Sequence, residues 1–172
     1  MSPCNFASPA LCEGPITALA YLVRLCLMRN DWPRLRSFLA DLRRALETYR
    51  AFGSETFYEW NTLSAGFLEV KMLERQHLYG EAAECLRREL PLAERLQARK
   101  PLPPEAQSEL ARLYQSLAGQ LHRAGQGSPD ERIAILRKGL EFAQAGVDQD
   151  NGDSAANFEL AWISTRRIPP KI

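Results

Sequence analysis

The residues with the clearest chemical pattern are Glu74 and His77, a Glu-x-x-His step. Three residues apart on a helix, a carboxylate and an imidazole share one face, the spacing that helical bundles use to hold a pair of iron or manganese ions. Such a centre needs a second copy and two further inward carboxylates. The only other histidine, His122, stands in Gly119-Gln120-Leu121-His122 and supplies no copy. His77 is therefore read as a helix-ending residue that meets the C-terminal dipole. The run Asp148-Gln149-Asp150-Asn151-Gly152-Asp153 has a calcium-loop flavour. Counted from Asp148, Asp150 fits loop position 3 and Glu159 the closing position 12. Gly152, however, brings no side-chain oxygen to position 5, and Asp153 replaces the turn glycine at position 6, so the run reads as a polar turn between helices. Cys4, Cys12, Cys26 and Cys85 form no CxxC pair and lie far from both histidines. They read as free thiols rather than zinc ligands, and nothing in the sequence supports a Cys4–Cys12 disulfide. No glycine loop that would cradle phosphate is present, and no Ser–His–Asp arrangement has a physical warrant. The expectation is a protein that is not an enzyme and carries no metal or cofactor.

Charge narrows the partners. The chain has 172 residues and a net charge of +1, whereas a surface built on phosphate contacts carries a clear positive excess. No nucleic-acid partner is expected. The arginine doublets 43–44, 87–88 and 166–167 read as solvated helix faces. The apolar run Ile16–Met28 is too short to span a bilayer and is interrupted by Arg24. No Lys or Arg precedes it, so it lacks the basic start of a signal peptide. It reads as a buried helix without membrane insertion, and a cytoplasmic location is expected.

These side chains must be positioned by helices. Apolar residues recur at three- and four-residue steps throughout: Leu35, Leu39, Leu42, Leu46 and Tyr49; Leu63, Phe67, Val70 and Leu73; Leu110, Leu113, Tyr114, Leu117 and Leu121. No sustained strand-like alternation appears. An irregular lead-in is expected over 1–14. A first helix follows from Pro15 to about Met28, apolar almost all round and so expected to be covered on more than one side. Asp31 and Ser54 are placed to cap the second and third helices, and Gly53 to end the second in a left-handed conformation. Pro91 predicts a kink or break in the fourth. Ser128 with Glu131 predicts a capping box for the sixth, with Pro129 at its first position. A seventh runs through Ala155, Phe158 and Trp162 and ends before Pro169. The fold class is all-α: about seven antiparallel helices in one domain over 15–167, its halves joined near 101–104, with a tail over 168–172.

The turn His77-Leu78-Tyr79-Gly80-Glu81-Ala82-Ala83-Glu84-Cys85-Leu86 resembles the inter-helix turn of a tetratricopeptide repeat, with Tyr79, Ala82 and Leu86 at the family's aromatic, small and large positions. Trp32, Leu35 and Leu39 follow the same spacing with a large residue in the small place. Tyr114, Leu117, Ala118 and Leu121 resemble the pattern of the family's first helix. The spans from Trp32 to Tyr79 and from Leu121 to Trp162 exceed the standard repeat of about 34 residues, so the repeats are long and degenerate. The resemblance covers about 15–165. It implies stacked hairpins in a right-handed superhelix, in which a small residue lets paired helices approach and each hairpin covers its neighbour. Long repeats of this sort are also similar to helical modules of large bacterial transcription activators.

By this resemblance the chain is expected to be a protein–protein interaction module, an adaptor, chaperone or assembly factor. It would hold a peptide or partner helix on the groove lined by the first helix of each pair. The positions that match are Arg112, Gln115 and His122, with Asn61 on an earlier helix. The alternative is a ligand-sensing regulatory module of a transcription-control system, which needs an apolar pocket between helices. The apolar first helix suggests a homo-oligomer as a further expectation.

Overall fold

The computed structural model describes residues 10–98 and 104–149, and 157 and 161 besides. The described residues form six helices and no strand: α1 (Ala10–Arg29), α2 (Trp32–Arg50), α3 (Glu55–Arg75), α4 (Tyr79–Ala98), α5 (Pro104–Arg123) and α6 (Pro129–Gln149). The expected seventh helix, the proline stretch at 101–103 and the acidic run from 150 onward lie outside the described residues, apart from 157 and 161. The chain divides into two compact units, 1–76 and 77–172. The division falls between α3 and α4, and α4 and α5 pack on one another within the second unit.

In the first unit α1 packs on α2, and α3 packs on both. The 4-3-4-3 spacing of Leu35, Leu39, Leu42, Leu46 and Tyr49 on α2 gives one buried stripe. It belongs to a core with Ile16, Val23, Cys26 and Leu27 from α1 and Leu63, Val70 and Leu73 from α3. Each large side chain so buried stabilises the unit by about 1.5–3 kcal/mol. Asp31 Oδ1 accepts the Arg34 amide at 3.3 Å and Ser54 Oγ accepts the Phe57 amide at 3.4 Å, so both expected caps form.

Three local expectations are corrected. Residues 10–14 are helical, and Pro15 sits inside α1 on an exposed position. Gly53 does not adopt a left-handed φ; α2 closes at Ala51 with an ordinary right-handed conformation. Glycine is needed at 53 for space, since a Cβ there would come within 2.1 Å of the Tyr49 ring. The third concerns cover on α1. Tyr21 and Met28 are 59% and 73% exposed, and Leu22 and Leu25 are exposed beside them, so α1 buries one side only.

In the second unit α5 lies in the middle, with α4 and α6 packed on it. From Ala106 to Leu121 it is buried on most of its circumference, including Leu110, Leu113, Leu117 and Leu121. Tyr114 stacks on Phe142 of α6 with the rings 5.7 Å apart and nearly parallel. Burial, and then the charge of Glu94, raise its phenol above the ordinary tyrosine range. Pro91 does not break α4, which runs continuously from Tyr79 to Ala98. The proline is on the exposed side, where a carbonyl that loses its partner can turn to water.

Candidate functional site

Arg112, Gln115, Gly119 and His122 follow one another at steps of three, four and three along α5, which places them on one face. The face is closed at Gln115 and opens from there toward its C-terminal end. Arg112 is paired with Glu109 one turn earlier at 2.7 Å, both side chains a little over one-third exposed. Gln115 is buried, at 9% exposure, and so does not offer its amide to an outside partner; the middle position of α5 takes it inside. Gly119 is partly exposed and His122 is exposed. Asn61 is on α3, in the other compact unit. It is half-buried, and its Nδ2 donates to the Phe57 carbonyl at 2.8 Å, so the amide is used on its own helix. Of the four residues expected from sequence, His122 alone is both exposed and part of a concave surface.

That surface is a cleft of about 260 Å³ between α5 and α6, lined by Ala118, Gly119 and His122 on one side and Pro129, Arg132, Ile133 and Leu136 on the other. The space arises because two adjacent positions on α5 carry almost no side chain. A Cβ added at Gly119 would meet nothing within 4 Å. Ile133 and Leu136 are only half-buried and form the apolar wall.

The turn below the cleft is held by a defined set of bonds. Gly125 and Gly127 have φ of +66° and +70°, the left-handed region that L side chains enter at a cost. The Gln126 amide donates to the Leu121 carbonyl at 2.8 Å, the six-to-one bond of a Schellman ending, and the Gly125 amide donates to the His122 carbonyl at 3.2 Å. Ser128 Oγ accepts the Glu131 amide at 3.1 Å. The Glu131 carboxylate reaches Arg87 of α4 at 3.6 Å, so this capping box is made on one side only. Arg132 Nη1 donates to the carbonyls of Gln126 and Gly127 at 3.1 and 2.9 Å. No carboxylate among the described residues lies within ion-pair distance of Arg132.

The sequence reading missed Arg132 and Gly119. A signal exists in retrospect: Pro129, Arg132, Ile133 and Leu136 share one helical face opposite the small pair Ala118-Gly119. Arginine in the first turn of a helix nevertheless reads as a solvated residue unless the turn before it is known.

The other candidates for chemistry do not converge on this cleft. His77 has a left-handed φ of 59° just past the end of α3, and its Nδ1 is hydrogen-bonded with the Tyr79 hydroxyl at 2.8 Å. Cys26 and Cys85 are buried and form no disulfide among the described residues, and Cys85 Sγ accepts from Arg88 Nη2 at 3.3 Å. Among the described residues no three His, Cys, Asp or Glu side chains are grouped so as to hold a metal ion. No described helix is long and apolar enough to cross a membrane. Compared with protein-family models, curated proteins and solved structures, the chain matches none.

Proposed function

We propose that this chain is a non-catalytic protein-binding module of the tetratricopeptide kind, which holds a segment of a partner protein against the C-terminal half of α5. One observation carries the reading: the α5 face opens at Gly119 and His122 into a cleft with apolar walls and a fixed guanidinium. A rigid helix pair with such an edge recognises a partner through a few side chains without moving its backbone. The residues that bear on binding are Gly119, His122, Arg132, Ile133 and Leu136; Arg112 flanks them as a rim charge, and Gln115 supports from inside.

The test is capture of a partner from native lysate on the immobilised full chain, beside Gly119→Leu and Gly119→Ala. Leucine at 119 fills the cleft; alanine leaves most of it open. Both replace a helical glycine where a Cβ meets nothing, so both are expected to melt at or above the wild-type temperature. A specific protein retained by wild type and Gly119→Ala, and lost from Gly119→Leu, is the expected result. Equal retention by all three, or none by any, removes the cleft from the function.

The same cleft supports a second reading, a ligand-sensing regulatory module. Its volume is close to the small end of pockets that enclose organic molecules. A small molecule that remains with the wild type and not with Gly119→Leu in native mass spectrometry is the outcome that favours this reading.

A further inference from the structure

Resting on the protein-binding reading, we infer that the cleft between α5 and α6 receives the free C-terminal end of a partner polypeptide whose last residue is apolar. The carboxylate is taken by Arg132, and the terminal side chain packs on Pro129, Ile133 and Leu136.

The lining of the cleft sets the chemistry it can recognise. Four of its seven lining residues are apolar, one is glycine, and the two with polar groups are a guanidinium and an imidazole. A matching ligand has an apolar body and an anionic tip. Arg132 is prepared for that tip: Nη1 is committed to the carbonyls of Gln126 and Gly127, which fixes the guanidinium plane before any ligand arrives. Nη2 and Nε, with no partner among the described residues, present the side-by-side N–H groups that suit the two oxygens of a carboxylate. The nearest acid in sequence, Glu131, has one oxygen 3.6 Å from Arg87 and the other beside Gly127, and it makes no ion pair with Arg132.

Size selects the occupant. The cleft has the room of roughly nine water molecules at about 30 Å³ each, enough for one large residue. An amphipathic partner helix needs anchors at several successive turns, whereas the lining covers one turn of α5, from Ala118 to His122, and two of α6, from Pro129 to Leu136. A phosphate group is a doubly charged, strongly hydrated ion that needs more donors than one guanidinium and one imidazole beside apolar walls. A chain end satisfies both limits, because a single residue carries the side chain and the carboxylate and nothing must continue past them.

The probe is a fluorescent mixture of hexapeptides, random at the first five positions and ending in Leu, Ile, Val, Met or Phe, made as free acids and as C-terminal amides. Binding to the full chain is followed by polarisation for wild type, Arg132→Gln and Gly119→Leu. The acid mixture is expected to bind wild type at least about tenfold more tightly than the amide mixture. Arg132→Gln should bring the acids down to the level of the amides, and Gly119→Leu should lose both. N-acetyl-leucine should compete only at concentrations about a hundredfold higher than the peptides. Equal binding of acids and amides, or a preference that survives Arg132→Gln, overturns the inference. N-acetyl-leucine competing as well as the peptides also overturns it and assigns the cleft to a small organic acid. If the peptides fail while lysate capture still depends on the cleft, the terminal-carboxylate reading falls and the protein-binding reading stands; if capture fails as well, both fall.

Discussion

Two inter-helix turns, one in each compact unit, are built from the same parts and differ in where the last part comes from. At the α1–α2 turn Asn30 takes a left-handed φ of 55°, and the Asp31 amide donates to the Cys26 carbonyl at 2.9 Å. At the α5–α6 turn Gly125 takes +66°, and the Gln126 amide donates to the Leu121 carbonyl at 2.8 Å. Each turn is then tied by an arginine to backbone oxygen. At the first turn this is Arg75, at the far end of α3, which donates to the Leu27 carbonyl and to Asn30 Oδ1. At the second it is Arg132, a few residues past the turn itself. A turn tied by a third helix has its open side covered by that helix. The turn tied by its own next helix meets α4 on one side, through Arg87 and Gly80, and the cleft lies beside it between α5 and α6.

Substitutions at the two turns test the difference between them, and the largest effects are expected in the core. Both turns accept their closing bond on a residue in the last turn of a helix, Cys26 at the first, with Leu27 beside it, and Leu121 at the second. Leu121 is fully buried and Leu27 is 7% exposed. Truncation of either to alanine is expected to cost about 2–5 kcal/mol, with Leu121→Ala the larger because no part of it reaches solvent. Urea unfolding gives both values; a smaller loss at 121 would mean that α5 is less enclosed than its burial indicates. Next come the left-handed residues. Gly125→Ala should cost about 1–2 kcal/mol, since alanine resists positive φ. Asn30→Gly should be close to neutral, because relief of the same strain is set against loss of the Oδ1 acceptor for Arg75. Similar losses at the two positions would show that asparagine and glycine are not doing equivalent work. The smallest effects are at the arginines. Arg75→Gln breaks a tie between helices and should cost about 1–2 kcal/mol, whereas Arg132→Gln breaks a local one and should cost under about 1 kcal/mol. An equal drop in melting temperature for the two would contradict the distinction between a tertiary and a local tie.

Much of this architecture was legible in the sequence, and the reasons are local. Asp31, Ser54 and Ser128 cap because a short polar side chain before an apolar-periodic run has a nearby amide to satisfy. The stripe on α2 follows from period alone. The expectations that failed depended on distant chain. Pro15 and Pro91 look like helix boundaries, but both fall on exposed helix positions, where a missing donor is tolerated. Gln115 and His122 share a face by period, yet period cannot say how far along the helix that face stays covered. Glu131 fits a capping box by spacing, and Arg87, forty-four positions earlier, draws its carboxylate away. The cleft was thus half visible: the α5 face and the exposed His122 could be read from period, while Gly119 and Arg132 join it only when α6 is laid beside α5.

Tyr49 gives the first unit a property that no list of its core residues conveys. Its ring lies over Gly53, its hydroxyl donates to Glu13 Oε1 at 2.7 Å, and the same oxygen accepts the Ser54 amide at 3.1 Å. One phenol therefore joins the beginning of α1, the end of α2 and the beginning of α3. Helix ends usually fray independently, each exchanging its amide hydrogens at its own rate. Here the opening of the α2–α3 turn would withdraw the hydroxyl from Glu13 in the same event, so amide exchange at Ser54 and in the first turns of α1 is expected to follow one rate, although the segments are some forty residues apart in the chain.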